Sequence, residues 1–131
     1  MLRLSACLFA LLVAAPVAAQ QVVSGTGAEI RVLDRLTGAV ADMMIGRGQS
    51  DNVGALSITL GDCRYPPENL AGEAYANLVI HFRESVTPLF SGWMLASSPA
   101  LNALDHPRYD VWVLRCTTSA PAGTTPENDA D

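Results

Sequence analysis

Residues 90–116 read FSGWMLASSPALNALDHPRYDVWVLRC, and this stretch holds both tryptophans of the chain. Large apolar side chains occur at odd and at even positions of residues 90–96, and again of residues 109–116. That pattern is typical of strands whose two faces are both covered. The stretch therefore predicts two buried strands in a packed corner of a β domain.

A short helix is predicted between these two strands. Ser98 is followed by proline, and a serine before a proline is a common helix start in which the serine caps the first turn. Leu101 and Leu104 lie three residues apart, so we expect them on one face of the helix. The His106-Pro107 pair ends the helix after about two turns.

Four segments upstream alternate apolar and polar residues with the period of a β-strand. These segments are residues 29–32, 40–45, 55–60 and 75–82. Residues 46–52 are polar and glycine-rich, which predicts a loop, and two consecutive prolines exclude a central strand from residues 64–73. Together with residues 90–116 this gives six strands and one short helix. We therefore expect a mainly β fold, a small antiparallel β-sandwich or barrel.

The N-terminus has the composition of a secretory signal peptide. Arg3 is followed by an apolar run over residues 4–17 and then by small residues up to Ala19. The run is shorter than the roughly 20 apolar residues that span a membrane. We expect residues 1–19 to be removed, residues 20–26 to form a flexible N-terminus, and no transmembrane segment to remain.

Residues 117–131 contain small, polar and acidic residues but no large apolar side chain. Such a segment cannot bury enough surface to offset the entropy of ordering it, so we expect a disordered acidic tail. The folded domain is then residues 27–116.

The charge of the mature chain excludes two classes of partner. Loss of Arg3 with the signal peptide lowers the net charge from −5 to −6, and the chain contains no lysine. Nucleic acids and anionic lipid surfaces attract basic faces. We therefore expect neither as a ligand.

Cys63 and Cys116 remain after cleavage because Cys7 leaves with the signal peptide. An even number of cysteines in an oxidising compartment indicates a single disulfide. The loop it closes, of about fifty residues, is worth roughly 4 kcal/mol in the chain-entropy model. A metal site with His81 or His106 is the alternative, but no short Cys-x-x-Cys or His-x-x-x-His spacing supports it. We expect no metal and no cofactor.

The long motif of residues 90–116 resembles the C-terminal pattern of a family of short exported proteins of alphaproteobacteria. That pattern has the form FSGWMxASSPxLNxLxHPxYDVWxxxC, and the chain matches it from Phe90 to Cys116. Cys63 and the Pro66-Pro67 pair fit the family as well. Because the family is catalogued only as a domain of unknown function, the resemblance implies an exported periplasmic domain and supplies no catalytic residues.

A serine-hydrolase interpretation of the same motif is the first catalytic alternative. Its candidate residues are Ser97, Ser98, Asp105, His106 and Asp110. Against it, Ser98 is expected to cap the helix and His106 to bond the last helical carbonyls. No Gly-x-Ser-x-Gly elbow is present either. We expect no catalytic residues here.

The remaining acidic residues have structural interpretations. Glu68, Glu73 and Glu84 lie in or beside predicted loops, where solvated carboxylates are more common than a glycosidase pair. Asp110 lies in an apolar strand on the same side as Trp112, so its burial requires a partner. The expected partners are Arg108, Arg83 or Arg115.

The aromatic residues decide which surface to test. We expect Trp112 in the core, because buried aromatic rings dominate the energetics of small domains. Trp93 is left open between core and docking surface, since Gly92 beside it allows another backbone to approach. The candidate partner surface comprises Trp93, Phe90, Ser97, His106 and Tyr109.

Two functions follow from these observations. The first is a periplasmic, non-catalytic domain that binds a protein partner as an accessory or scaffold piece of a cell-envelope or membrane assembly. The second is a small hydrolase or carbohydrate-binding module that uses the surface of Trp93, Ser97 and His106.

Overall fold

A computed structural model describes residue 16 and residues 18–118. Most of the predicted signal peptide and of the predicted tail lie outside the described residues. Eight strands occur in the described part: β1 (Val23–Ser24), β2 (Gly27–Asp34), β3 (Val40–Gly46), β4 (Ser50–Val53), β5 (Leu56–Tyr65), β6 (Tyr75–Phe82), β7 (Phe90–Leu95) and β8 (Tyr109–Thr117).

The strands form two antiparallel sheets that face each other. The first sheet has the order β1-β5-β6-β7, and β4 pairs with the same edge of β5 as β1 does, farther along that strand. The second sheet has the order β3-β2-β8. The predicted mainly β, antiparallel sandwich is therefore confirmed.

The core lies between the two sheets because alternate residues of each central strand point inward. From β5 and β6 these are Leu56, Ile58, Leu60, Ala76, Leu78 and Ile80, all essentially inaccessible to solvent. From β2 and β8 they are Ala28, Ile30, Val32, Val111 and Val113. The outward positions between them carry polar and half-buried residues, as expected for antiparallel sheets with one solvated face.

Each cysteine follows an extra residue in its strand. The pairing of β5 with β6 shifts between Leu60 and Asp62, and the pairing of β8 with β2 shifts between Val113 and Arg115. One extra residue reverses which face the following side chains occupy. Cys63 and Cys116 consequently point into the core, where they form the predicted disulfide with a Cα–Cα distance of 5.6 Å.

Pairing with β5 also creates structure where loops were predicted. β5 continues through Cys63 to Tyr65, although the alternation ended at Leu60. β1 lies within the predicted flexible N-terminus, and β4 begins within the predicted loop of residues 46–52. Both strands are short and mostly exposed, so backbone pairing with β5 holds them rather than a buried apolar face of their own.

The predicted short helix is present, but as a single 3₁₀ turn, Pro99–Leu101, and not as the two turns expected. The predicted Ser98 cap is wrong, because its side chain makes no capping hydrogen bond. Leu101 is 74% exposed whereas Leu104 is buried, so the two leucines do not share a face. The turn stops because Asn102 adopts an extended conformation and donates its side-chain amide to the Trp93 carbonyl at 2.9 Å, which ties this segment to the edge of β7.

Tyr109 fixes the turn between β4 and β5. Its ring is buried, and its hydroxyl accepts a hydrogen bond from the backbone N–H of Ala55 at 3.0 Å. Gly54 in this turn has a φ of 55°, and a Cβ at that position would lie 2.6 Å from the Tyr109 hydroxyl. The first residue of β8 is therefore locked to the opposite sheet.

Candidate partner-binding site

Trp93 lies on the outward face of the first sheet. In the strand register it is opposite Asn77 of β6, which is opposite Asp62 of β5. In the next row, Tyr75 is opposite Arg64. The outward face therefore brings together an indole, a phenol, an amide and an ion pair at the end of the sheet where β6 begins.

Arg64 covers the Trp93 ring. Its guanidinium carbon lies 5.0 Å from the ring centroid, a cation–π geometry. Its Nε donates to Asp62 Oδ2 at 2.8 Å, and the Ser24 hydroxyl donates to the same oxygen at 3.2 Å. The arginine is thus held over the indole by a carboxylate from its own strand. The face of the ring under the guanidinium is therefore not open to a sugar.

Asp62 stays ionised and so keeps Arg64 in place. Burial acts to raise the pKa of the Asp62 carboxyl, but hydrogen bonds from Arg64 and Ser24, together with the charge of Arg64, outweigh it. The net effect lowers the pKa below its ordinary value. Both members of the ion pair are therefore charged at neutral pH.

A mostly apolar depression of about 300 Å³ opens beside this pair. Its walls are Val22, Arg64, Tyr75 and Trp93. Val22 is 41% exposed, so an apolar side chain from the N-terminal segment faces solvent here. The volume is at the low end for ligand pockets. A depression this small and open suits one or two apolar side chains of a protein partner.

Ser97 lies at the same end of the sheet but is bound to Glu73. The Glu73 carboxylate accepts hydrogen bonds from the Ser97 hydroxyl, from the Ser97 N–H at 3.2 Å and from the Ala74 N–H at 2.9 Å. Burial acts to raise the pKa of Glu73, yet these hydrogen bonds outweigh it and the pKa is lowered. The ionised carboxylate joins the ends of β6 and β7, and the Ser97 hydroxyl is used in that junction. Glu68 and Glu84 are exposed loop residues, as predicted.

His106 lies at the opposite end of β6. Its ring packs against Phe82, the last residue of that strand, with the centroids 5.0 Å apart, and against Tyr109 at 5.7 Å. Ser97 adjoins the first residues of β6, so roughly 20 Å of strand separates the two side chains. The structure does not bring them together, and the proposed Ser97–His106 surface is not a single site.

The predicted interaction of His106 with helical carbonyls is also wrong. Its Nδ1 accepts hydrogen bonds from the N–H groups of Arg108 (3.1 Å) and Tyr109 (3.3 Å). These bonds form because the chain turns directly into β8 instead of leaving a helix. The imidazole therefore caps the start of a strand.

The five residues of the predicted partner surface are dispersed. Phe90 and Tyr109 are buried in the core, and His106 is half-buried at the far end of the sheet. Trp93 is half-buried on the outward face and Ser97 is exposed nearby. Of the predicted set, these two remain available on one surface.

A family model described as an uncharacterized protein conserved in bacteria (DUF2155) matches residues 28–116. The chain belongs to this family. A relative in Rickettsia prowazekii (strain Madrid E), also described as uncharacterized, is 27% identical over 94 residues. That match covers 70% of this chain and 61% of the relative, so the chain spans about three fifths of the relative's length. Comparison with solved structures gives no match.

The second sheet of this DUF2155 domain corrects two predictions about β8. Trp112 is half-buried on the outward face opposite Arg31, not in the core, because nothing packs over that side of the sheet in the described residues. Asp110 shares that face and binds Arg35, at 2.5 and 2.7 Å. The arginines expected as its partners bind elsewhere: Arg108 to Asp34, Arg115 to Glu29, and Arg83 over the ring of Phe82.

Sequence reasoning missed Arg64, Asp62, Tyr75 and Val22 as neighbours of Trp93. One signal was present, since Tyr75 occupies an outward position of a strand whose alternation was read correctly. The others depend on the pairing of β1 and β7 with distant strands. Within residues 18–118 no cluster of three or more potential metal-binding side chains occurs, and no helix of that region has the length and apolar character to cross a membrane.

Proposed function

We propose that this DUF2155 domain is an exported, non-catalytic binding module that docks a protein partner of the cell envelope through the depression beside Trp93. Export is supported by the signal-peptide pattern of residues 1–19 and by a buried disulfide, a bond typical of oxidising compartments such as the periplasm. The partner is envisaged as a component of an envelope or membrane assembly for which this domain is an accessory or scaffold.

The depression beside Trp93 is the observation that carries the proposal. Its surface is mainly apolar, and Arg64 and Glu73 beside it have partners within the chain, in Asp62 Oδ2 and Ser97. One buried oxygen, Asp62 Oδ1, has no hydrogen-bond partner. A mainly apolar surface with a partly exposed indole gains most from contact with apolar side chains. Tryptophan and arginine at the centre of such a patch are the residue types that dominate binding energy at protein interfaces.

The alternative, a hydrolase or carbohydrate-binding module, receives less support. A serine–histidine mechanism needs Ser97 and His106 within hydrogen-bond reach, and they lie at opposite ends of β6. A sugar platform needs an open indole face, and Arg64 covers one of the two faces of Trp93. The geometry therefore favours protein binding.

Affinity capture from envelope extracts tests the proposal with a matched pair of variants. Trp93→Ala removes the wall of the depression, while Trp112→Ala removes a half-buried outward tryptophan from the other sheet. We expect partners enriched by the wild-type domain to be lost at least about 30-fold with Trp93→Ala, the effect of one strong interface residue, and to be retained with Trp112→Ala. Circular dichroism confirms that each variant folds.

Equal retention by both folded variants would refute docking at Trp93. The hydrolase or carbohydrate-binding alternative is tested separately. A glycan array reports sugar binding, and a panel of ester and glycoside substrates reports hydrolysis. A signal in either assay that disappears with Trp93→Ala would replace the protein-docking proposal with the alternative.

A further inference from the structure

Exposed sheet edges invite pairing with other chains, and most edges of this sandwich are protected. The β7 edge is covered by the 3₁₀ turn and by the Asn102 amide, which bonds the Trp93 carbonyl. β8 carries the irregularity beside Leu114, and such bulges disturb an edge. β1 and β4 have two and four residues, too short to template a long pairing.

β3 is the edge strand of the described region that has none of these protections. It has seven residues, and its register with β2 is uninterrupted from Gly46 to Val40. It contains no proline and no lysine. Val40 and Met44 are 59% and 53% exposed. A long, regular and apolar edge of this kind is a template for a further strand.

The hydrogen-bond phase of the β2–β3 pair shows which groups of β3 are free. The Asp34 N–H donates to the Ala39 carbonyl at 2.9 Å, so this facing pair is a hydrogen-bonded one. Hydrogen-bonded and non-bonded pairs alternate along an antiparallel ladder. Val40, Asp42 and Met44 therefore direct their N–H and C=O groups away from β2, toward the open edge.

We propose that β3 pairs antiparallel with β3 of a second copy of this chain. The three-stranded second sheets of the two copies then form one continuous six-stranded sheet. Placing Met43 on the two-fold axis sets Asp42 opposite Met44 of the second copy and Val40 opposite Gly46 of the second copy. In this register the outward-directed backbone groups of both strands meet. It also keeps the two Asp42 side chains from facing each other.

Charge does not oppose this contact. Asp42 is the one charged residue of β3, and Arg31 of the same copy binds it with two hydrogen bonds, at 2.7 and 2.8 Å. The strand thus presents a neutral edge on a domain that is acidic as a whole. Like-charged copies can approach along such an edge with the least repulsion, and salt that screens the remaining charges is expected to strengthen the pairing.

The size of the contact sets the expected affinity. A paired strand of seven residues is about 23 Å long. Pairing at one edge buries less than the roughly 1,200 Å² at which stable interfaces begin. The dimer is therefore weak, and it forms as the concentration rises.

Analytical ultracentrifugation of the mature, oxidised domain tests the pairing from about 1 µM to about 1 mM, a range that spans weak affinities. We expect the average mass to rise from that of one chain toward that of two. Met44→Pro removes an N–H from the open edge and should keep the domain monomeric. Met44→Ala is the matched control, since it keeps the N–H and should still associate. Met44→Glu is a second test that keeps the backbone N–H. It sets a carboxylate opposite Asp42 of the second copy, and like charges directly opposite each other should also block pairing.

Amide hydrogen exchange locates the contact. At high concentration the amides of Val40, Asp42 and Met44 should exchange several-fold more slowly than at low concentration, whereas those of Ala41 and Met43, already bonded to β2, should not change. The proposal is overturned if the wild-type domain stays monomeric over the whole range. Association that persists unchanged in folded Met44→Pro or Met44→Glu overturns it as well, and Met44→Glu decides alone if the proline variant does not fold.

Discussion

Removing the disulfide should cost this domain much of its stability. Cys63 and Cys116 are separated by 53 positions and are both fully buried. In the chain-entropy model a loop of this length contributes about 4 kcal/mol at 25 °C. For a domain of this size each kcal/mol corresponds to roughly 4–8 °C in Tm, so the loss should be roughly 15–30 °C. Alanine is a better replacement for each cysteine than serine, because a serine hydroxyl would be buried without a hydrogen-bond partner.

The assay is thermal and urea unfolding, followed by circular dichroism, of the wild type, the two single alanine variants and the double variant. Because the two cysteines act through one bond, the double variant should be no less stable than the single ones. The reduced wild type should unfold close to the double variant, and a reductant should leave the double variant unchanged.

Two results would refute this reasoning. Losses from Cys63→Ala and Cys116→Ala that add in the double variant would mean that the cysteines contribute separately. An unchanged Tm of the wild type in reductant, with both thiols shown to be free, would mean that the bond does not stabilise the fold.

Two further predictions concern the ends of the sandwich. Tyr109→Phe leaves the Ala55 N–H without its hydroxyl acceptor and should lower the free energy of unfolding by about 1–3 kcal/mol, measured in urea; a loss no larger than the experimental error would show that water replaces the hydroxyl. Hydrogen bonds from Arg108 lower the pKa of Asp34 to about 2, so its stabilising contribution is complete above its unfolded pKa of about 4 and is lost as the pH falls toward the folded value. Urea midpoints of wild type and Asp34→Asn should therefore differ near neutral pH and converge in acid, and a constant difference would contradict this assignment.

The sequence predicted those parts of the fold that depend on local alternation. Residues 55–60 and 75–82 were assigned correctly because each places its apolar side chains on one face. β1 and β4 were missed because they are too short to show an alternating pattern and form through pairing with β5. Trp112 was misplaced for a related reason. A strand with large apolar side chains on both faces can be covered on both or exposed on one, and only the number of layers distinguishes the two cases.

In the candidate site, too, the sequence predicted what depends on local neighbours and missed what depends on strand pairing. Trp93 was recognised as a candidate from its own neighbourhood in the chain, but its cover, Arg64, comes from another strand. Likewise, an ion-pair partner was predicted for Asp110, but the residue that binds it is Arg35, 75 positions away. Pairing partners of this kind are set by sheet order, which local patterns do not contain.

The two displaced cysteines give a rule for comparing members of this family. Cys63 and Cys116 each stand three positions after an inward residue, Leu60 and Val113, and each owes its inward direction to the one additional residue in between. A relative that lacks this residue would carry its cysteine two positions after the inward residue, where regular alternation again directs the thiol into the core. A one-residue gap at this place in an alignment is therefore compatible with the bridge, because the bulge and the odd separation disappear together.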